Sequence, residues 1–216
     1  MNYKEKVLQM SREMGCKCTF YDDEEDWKKE CGWGAWGGND YNRSPEHDGI
    51  HVLYINERIT RLEFYGDFIY AIPEYINIFF DLTELHIDCP KLTTLPSSIG
   101  NLYMLKKLVI TGCVNLKSLP ETIGNLLSLE YLVIFSVAIK TFPESIGKLS
   151  KLKGLNCYYC EHLYELPESI GNLSALEYLT ICYSSIKELP KSIINLSGLN
   201  YTVPPYKKVV NKITDV

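Results

Sequence analysis

The sequence has no long hydrophobic run and no basic excess. None of its 216 residues falls in an apolar stretch near the ~18 residues that a membrane helix needs. Residues 4–10 have the pattern of an amphipathic helix and not the apolar core of a secretory signal. The net charge is −5 and no basic stripe is present, which disfavours nucleic acid as a partner. We therefore expect a cytoplasmic protein that contacts neither membrane nor nucleic acid.

The sequence also lacks the motifs of common catalytic and phosphate-binding sites. The Gly/Trp-rich residues 31–38 have no Lys-Ser/Thr pair of a phosphate loop. His86 and Asp88, with Glu84, resemble an acid/base cluster, but no nucleophile accompanies them, and a rim charge pair is the simpler interpretation. We predict no enzyme activity, no catalytic residue and no cofactor.

Eight cysteines raise the possibility of a metal or redox site. Cys16-x-Cys18 is shorter than the usual C-x₂₋₄-C spacing, so a zinc site completed by Cys31 and His47 stays a minor alternative to simple packing. Cys157-x-x-Cys160 spans a predicted strand end and turn, where no helix dipole lowers a thiol pKa. We predict no bound metal and eight free thiols, as in a reducing compartment.

What the sequence does contain is a repeat. Proline recurs at positions 73, 96, 120, 143, 167 and 190, at intervals of 23 or 24 residues. It stands in variants of one phrase, Leu-Pro-x-Ser-Ile-Gly-Asn-Leu. A second phrase, Leu-x-x-Leu-x-Leu, begins nine residues after each proline, and its alternating end predicts a short strand with one buried face. Each unit is thus predicted to be a strand, a turn and a short helical return.

One unit cannot bury its own leucines, so the units must stack. Stacking predicts an α/β repeat solenoid, an arc with a parallel concave sheet and short helical segments on the convex side. The first unit is degenerate, and Pro204-Pro205 ends the series. We predict a capping region at 1–57, six full repeats and a partial seventh at 58–201, and a tail at 202–216.

The pattern resembles the leucine-rich repeat family over about two-thirds of the chain. The Leu-Pro-x-Ser-Ile-Gly-Asn-Leu units are similar to intracellular plant Ras-group and Ras-scaffold repeats. The 24-residue units that contain Cys113 and Cys160 are similar to those of plant immune receptors. The family usually has Asn after the strand, where this chain has Asp67, Pro90, Cys113, Val137, Cys160 and Ser184. The resemblance implies protein recognition and, as an alternative, a scaffold or regulator of small-GTPase signalling.

The N-terminal region resembles the cap of plant leucine-rich repeat receptors. We expect a helix over 3–14 stopped by Gly15, the Gly/Trp loop, and a strand over 50–55 that Asn56-Glu57 turns back into the first repeat. The matching residues are Cys31, Trp33, Gly34, Arg58, Ile59 and Leu62. The acidic residues 22–26 indicate a solvated face or a helix N-terminus.

Strand alternation predicts which side chains line the concave face. The first two strands present charged residues there, whereas the later strands present aromatic ones. Exposed tyrosine is typical of interfaces, although cross-strand stacking alone is the open alternative. Tyr159 and Tyr183 lie just beyond these strands. We predict a monomer that binds a protein partner through Tyr131, Val133, Phe135, Asn156, Tyr158, Tyr178, Thr180 and Tyr201.

Overall fold

The computed structural model describes residues 2–26 and 48–202, which form one open sheet of nine strands in chain order. All neighbouring strands are parallel except β2 and β3, which form an antiparallel hairpin. The strands are β1 Lys17–Tyr21, β2 Gly49–Ile55, β3 Arg58–Tyr65, β4 Glu84–Asp88, β5 Lys107–Thr111, β6 Tyr131–Phe135, β7 Gly154–Tyr158, β8 Tyr178–Cys182 and β9 Asn200–Thr202. The predicted solenoid is confirmed, and we number its repeats 1 to 7 from β3 to β9.

The N-terminal helix α1 covers Tyr3–Met14, as its sequence pattern predicts. The Asn2 side chain accepts the Glu5 amide at its start, and Gly15 adopts the left-handed conformation (φ 65°) that ends it. Val7 and Met10 are fully buried and join the core of the repeats. The helix therefore packs on the first repeat as part of the same core.

The edge strand β1 was not predicted from the sequence. It runs parallel to β2, with Lys17 opposite Gly49 and Tyr21 opposite Leu53. Its length of five residues and its mixed polarity give little alternation to detect. After it, Asp23 Oδ1 accepts the amides of Glu25 and Asp26 at 2.8 and 2.9 Å, as an N-cap residue does.

The hairpin between β2 and β3 joins this region to the repeats. Asn56 and Glu57 both have positive φ, 49° and 63°, as the two central residues of a type I′ turn require. This turn matches the right-handed twist of its strands. The predicted strand and return are therefore confirmed, and the sheet is continuous from β1 into the repeats.

Each repeat returns on the convex side through a 3₁₀ helix. Its proline lies just before the helix, with φ between −60° and −68°, and donates no amide there. The helices cover Glu74–Ile78, Ser97–Asn101, Glu121–Asn125, Glu144–Lys148, Glu168–Asn172 and Lys191–Asn195. The strand leucines and the helix isoleucines face each other in one core.

Close packing between successive 3₁₀ helices explains the glycine in the repeat phrase. A Cβ built on Gly124 would lie 2.3 Å from the Ser145 carbonyl oxygen, and Gly100, Gly147 and Gly171 are equally confined by the next repeat. In repeat 6, where the series ends, the corresponding residue is the exposed Ile194. In repeats 2 to 5 the glycine thus serves close stacking and not backbone conformation. Within the described residues, no helix is long and apolar enough to cross a membrane.

Candidate functional site: the concave face of the sheet

The concave face carries three side chains from each of the strands β4 to β8, at the first, third and fifth residues of the strand. The equivalent residues of β3 are Arg61, Glu63 and Tyr65. The second and fourth residues, such as Leu132 and Ile134 in β6, are buried in the core. Parallel pairing aligns the repeats residue by residue, so equivalent side chains form rows across the sheet. Sequence alternation therefore places Tyr131, Val133, Phe135, Asn156, Tyr158, Tyr178 and Thr180 on this face, and the register agrees.

The face begins with a charged region on β3 and β4. Arg61 lies between Glu84, with Nε–Oε1 at 3.2 Å, and Glu24, with Nη2–Oε1 at 3.4 Å. Because Arg61 is mostly buried, both carboxylates hold the guanidinium in a fixed position. Glu84 is thus paired with Arg61 and is no partner of His86.

His86 occupies the centre of this region and corrects the predicted rim charge pair. Its Nδ1 lies 3.1 Å from Glu63 Oε1, and its Nε2 lies 2.9 Å from Thr111 Oγ1. Glu63 is fully buried, so this carboxylate lies in the sheet and not at a rim. This pair cannot be recognised from the sequence, because Glu63 and His86 are 23 residues apart and meet only through the β3–β4 register.

The Glu63–His86–Thr111 series has the order of a carboxylate–imidazole–hydroxyl relay. Acyl-transfer chemistry also needs amide donors aimed at the developing oxyanion. The amide of Gly112, next to Thr111, instead donates to the Phe135 carbonyl at 2.9 Å. The series is a hydrogen-bonded link across three strands, and it fixes the orientation of the imidazole.

Aromatic residues occupy the other half of the face, in two groups. The first, which we call the rim aromatic cluster, comprises Phe135, Tyr158, Tyr159 and Tyr183, where β6–β8 end. The Tyr159 and Tyr183 rings are stacked, with centroids 4.3 Å apart and planes 6° apart, and Phe135 lies 5.2 Å from Tyr159. Tyr159 and Tyr183 both adopt positive φ directly after their strands.

The second group is Tyr131 and Tyr178, at the opposite ends of their strands. They flank Gly154 in the register, and the Tyr131 ring covers that glycine: a Cβ on Gly154 would lie 3.0 Å from Tyr131 Cδ1. Four residues of extended strand, about 13 Å, separate Tyr131 from Phe135. Tyr131 therefore has a structural role that its sequence position does not reveal.

Tyr201 points toward the core and not to the concave face, where it was predicted. It pairs with Leu179, one residue out of the repeat register, and packs partly against the core. A shift of one residue reverses the face of every strand side chain. The predicted register would set the smaller and more polar Thr202 opposite Leu179, so the observed one gives the core a larger apolar group. Tyr201 is therefore an inward residue of the last repeat.

The middle row of the face is more enclosed than its composition indicates. Asn156 is buried, and Val133 and Thr180 are half-buried. Phe135 is also buried, so the predicted contact residues differ widely in accessibility. Tyr159, Tyr178 and Tyr183 expose 45%, 49% and 48% of their surfaces. The accessible aromatic area thus includes two tyrosines that lie just outside the strands.

The cysteines contribute to packing and to hydrogen bonding at the turns. All seven described cysteines are free thiols, and Cys31 and His47 of the zinc alternative lie outside the described residues. Among the described residues, no three His, Cys, Asp or Glu side chains are grouped so as to hold a metal ion. Burial raises the pKa of Cys160 to about 11 and that of Cys157 well above its usual value, which opposes redox chemistry at this pair.

Comparison with known proteins places the repeats in a family. Residues 58–163 match the family model described as a leucine-rich repeat region. No curated protein matches the chain. A leucine-rich repeat protein of Leptospira interrogans superposes with a TM-score of 0.53 at 27% identity, over 62% of this chain and 34% of that one.

Two further solved structures are similar. A leucine-rich repeat protein of Bacteroides eggerthii has 27% identity and a TM-score of 0.45, over 52% of this chain and 20% of its own. The leucine-rich repeat domain of the type III effector XopL has 22% identity and a TM-score of 0.44, over 68% and 69%. The present chain thus spans about a third of the Leptospira protein and a fifth of the Bacteroides protein. Residues 58–163 thus form a leucine-rich repeat region, and the repeats and the sheet give the chain the fold of a leucine-rich repeat solenoid.

Proposed function

We propose that this protein is a non-catalytic recognition module that binds a protein partner on its concave face, at the ends of β6–β8. The observation that carries the proposal is the stacked pair Tyr159–Tyr183, with both rings about half exposed. Solenoids commonly use their extended concave surface for binding. Tyrosine offers a large rigid contact area and a hydroxyl group, and it is enriched among the residues that dominate interface energies.

The rim aromatic cluster is already organised to receive a partner. Phe135 packs against Tyr159, which stacks on Tyr183, so three successive repeats hold the rings in fixed positions. A partner then loses little side-chain entropy on binding, because these rotamers are already restrained. Each truncated anchor of such a site typically costs ~2 kcal/mol or more of binding free energy.

The charged region adds a second element to the proposal. Arg61, Glu84 and His86 have fixed partners, so they offer oriented polar groups. Complementary charges on a partner increase the association rate and the specificity more than the affinity. We therefore assign the affinity to the aromatic half of the face and the orientation of the partner to the charged half.

The wider alternatives stay predictions. A role as a scaffold or regulator of small-GTPase signalling, a cytoplasmic location and a monomeric state come from the sequence patterns. So do the likeness to plant subgroups and the division at residues 57 and 201. The face assignment proposed above does not depend on any of them.

Affinity purification with quantitative mass spectrometry tests the proposal. The test protein carries Tyr159→Asn and Tyr183→Asn, because asparagine tolerates the positive φ of both positions. We expect it to lose the partners that the wild type captures while keeping the wild-type melting curve.

The matched control is Glu121→Gln, an exposed change on the convex 3₁₀ helix of repeat 3. Glu144 and Glu168 are unsuitable controls, because each carboxylate accepts an amide of the next repeat. Loss of partners in the Glu121 variant together with their retention in the tyrosine variant would move the binding site to the convex side.

A further inference from the structure

Every full repeat leaves its 3₁₀ helix through the same tight turn. The amide of the first leucine of Leu-x-x-Leu-x-Leu donates to the carbonyl of the residue just after the helix, as in Leu105–Leu102 at 2.9 Å and Leu176–Leu173 at 2.9 Å. Two residues lie between these partners, and the first of them is exposed in all six turns. These first residues are Phe80, Tyr103, Leu127, Ser150, Ser174 and Ser197.

The chemistry of this position changes halfway along the solenoid. Repeats 1 to 3 have large apolar residues, and repeats 4 to 6 have serine, although the turn hydrogen bond is the same. Phe80, Tyr103 and Leu127 expose 53%, 60% and 54% of their surfaces, and Met104, second in its turn, exposes 51%. Since the fold accepts serine at this position, the apolar residues do not serve the turn itself.

We call Phe80, Tyr103, Met104 and Leu127 the apolar ledge. The repeat geometry places them side by side along the stack, on a surface separate from the concave face. The Tyr3 ring of α1 packs edge-on against Phe80, with centroids 6.0 Å apart, so the apolar surface extends to α1. Lys106, two residues beyond Met104, is exposed and adds a positive charge next to the ledge.

The size and spacing of the ledge restrict its occupant. The four side chains have about 200 Å² of surface each and are about half exposed, so together they present on the order of 400 Å². A stable dimer buries about 800 Å² per subunit, so a second copy of this chain is a poor match. Adjacent repeats are about 4.8 Å apart at the sheet and wider toward the convex side, since the sheet is concave. One turn of an α-helix advances 5.4 Å.

We propose that the apolar ledge binds an amphipathic α-helix of a partner protein that lies along the stack axis. Each turn of the helix places one apolar side chain against one repeat, as in other grooves that receive helices. Acidic residues beside the apolar stripe of the helix pair with Lys106. This surface is independent of the rim aromatic cluster, so one partner can occupy each.

The test uses labelled synthetic peptides of about 18 residues. Each peptide carries Leu, Phe or Met once per helical turn, with Glu beside that stripe, and fluorescence anisotropy reports binding. We expect micromolar binding by members of this panel. We also expect at least about a tenfold loss with Tyr103→Ser/Leu127→Ser, since a few anchor residues, tyrosine among them, carry most of the binding energy of an interface.

The double variant should fold normally, because it installs the residue that repeats 4 to 6 already have. Tyr164→Ser removes an equally exposed tyrosine elsewhere in the repeat and should leave binding unchanged, as should Tyr159→Asn/Tyr183→Asn. The proposal is overturned if no peptide of the panel binds, if scrambled peptides bind equally well, or if the ledge variant keeps its affinity. The proposal is also overturned if sedimentation shows that the wild type is a dimer and the ledge variant a monomer. In that case a second copy of this chain occupies the ledge.

Discussion

At the scale of single residues, buried thiols replace the asparagine that the family usually has after the strand. The thiols of Cys89, Cys113 and Cys160 lie 3.4, 3.8 and 3.9 Å from the carbonyls of Phe64, Ile87 and Ile134 in neighbouring repeats. The Cys89 amide in turn donates to Cys113 Sγ at 3.4 Å. Cys89, and not the neighbouring Pro90, thus takes the turn position in repeat 2.

These thiols should be unreactive in the folded protein. Burial disfavours the thiolate and raises the pKa of Cys113 to about 12 and that of Cys160 to about 11. Because the thiolate is the reactive form, a disulfide reagent at neutral pH should label both residues only after denaturation. Under denaturing, non-reducing conditions we expect eight reactive thiols. Two or more stable disulfides there would contradict the assignment to a reducing compartment.

At the scale of elements, the convex side depends on glycine where one 3₁₀ helix touches the next. Gly124→Ala would set a methyl group 2.3 Å from the Ser145 carbonyl oxygen, so repeats 3 and 4 must move apart. Overpacking of this kind costs about 1–3 kcal/mol of the free energy of unfolding. We expect a lower midpoint in chemical denaturation. Ile194→Ala, at the equivalent but exposed position of repeat 6, should change it little.

Carboxylates of one repeat also cap the 3₁₀ helix of the next. Glu74 accepts the amides of Ser97 and Ser98, and Glu168 accepts those of Lys191 and Ser192, at 3.0 to 3.2 Å. The proline before each helix has no side-chain acceptor of its own. The cap is thus supplied by the neighbouring repeat, and it links adjacent units.

This capping predicts a dependence of stability on pH. The amide hydrogen bonds favour the charged form and lower the pKa of Glu74 and of Glu168. The stabilisation that these hydrogen bonds give is therefore complete above the usual glutamate pKa. It is lost as the pH falls through the lowered pKa values of the two glutamates in the folded protein. Between pH 7 and pH 3, the melting temperature of the double variant Glu74→Gln/Glu168→Gln should change less than that of the wild type. An unchanged pH profile would show that the caps contribute nothing, and Glu121→Gln is the control.

At the scale of the whole molecule, the sequence determines the repeats far better than the surfaces. Six stacked units repeat the same apolar positions, so a position that is unclear in one unit can be assigned from its neighbours. Strand β1 has no such repetition. The partnership of Glu63 with His86 and the covering of Gly154 by Tyr131 depend on register between strands. Periodicity cannot report such cross-strand contacts, and it failed at Tyr201, where the last strand slips by one residue.

The molecule as a whole carries two surfaces of different character. The concave face changes from charged to aromatic along the stack, whereas the apolar ledge occupies repeats 1 to 3 on another side. A solenoid permits this division because each repeat contacts only its neighbours and can vary its exposed residues independently. The two proposed sites therefore lie in different repeats, the apolar ledge in repeats 1 to 3 and the rim aromatic cluster in repeats 4 to 6.

Hydrogen–deuterium exchange of the partner complex tests recognition by the concave face. The partner is the protein that the wild type captures and the Tyr159→Asn/Tyr183→Asn variant loses. We expect slower exchange at the ends of β6–β8 and in residues 159 and 183, with the convex 3₁₀ helices unchanged. Protection confined to the convex helices, with the strand ends exchanging as in the free protein, would contradict recognition by the concave face.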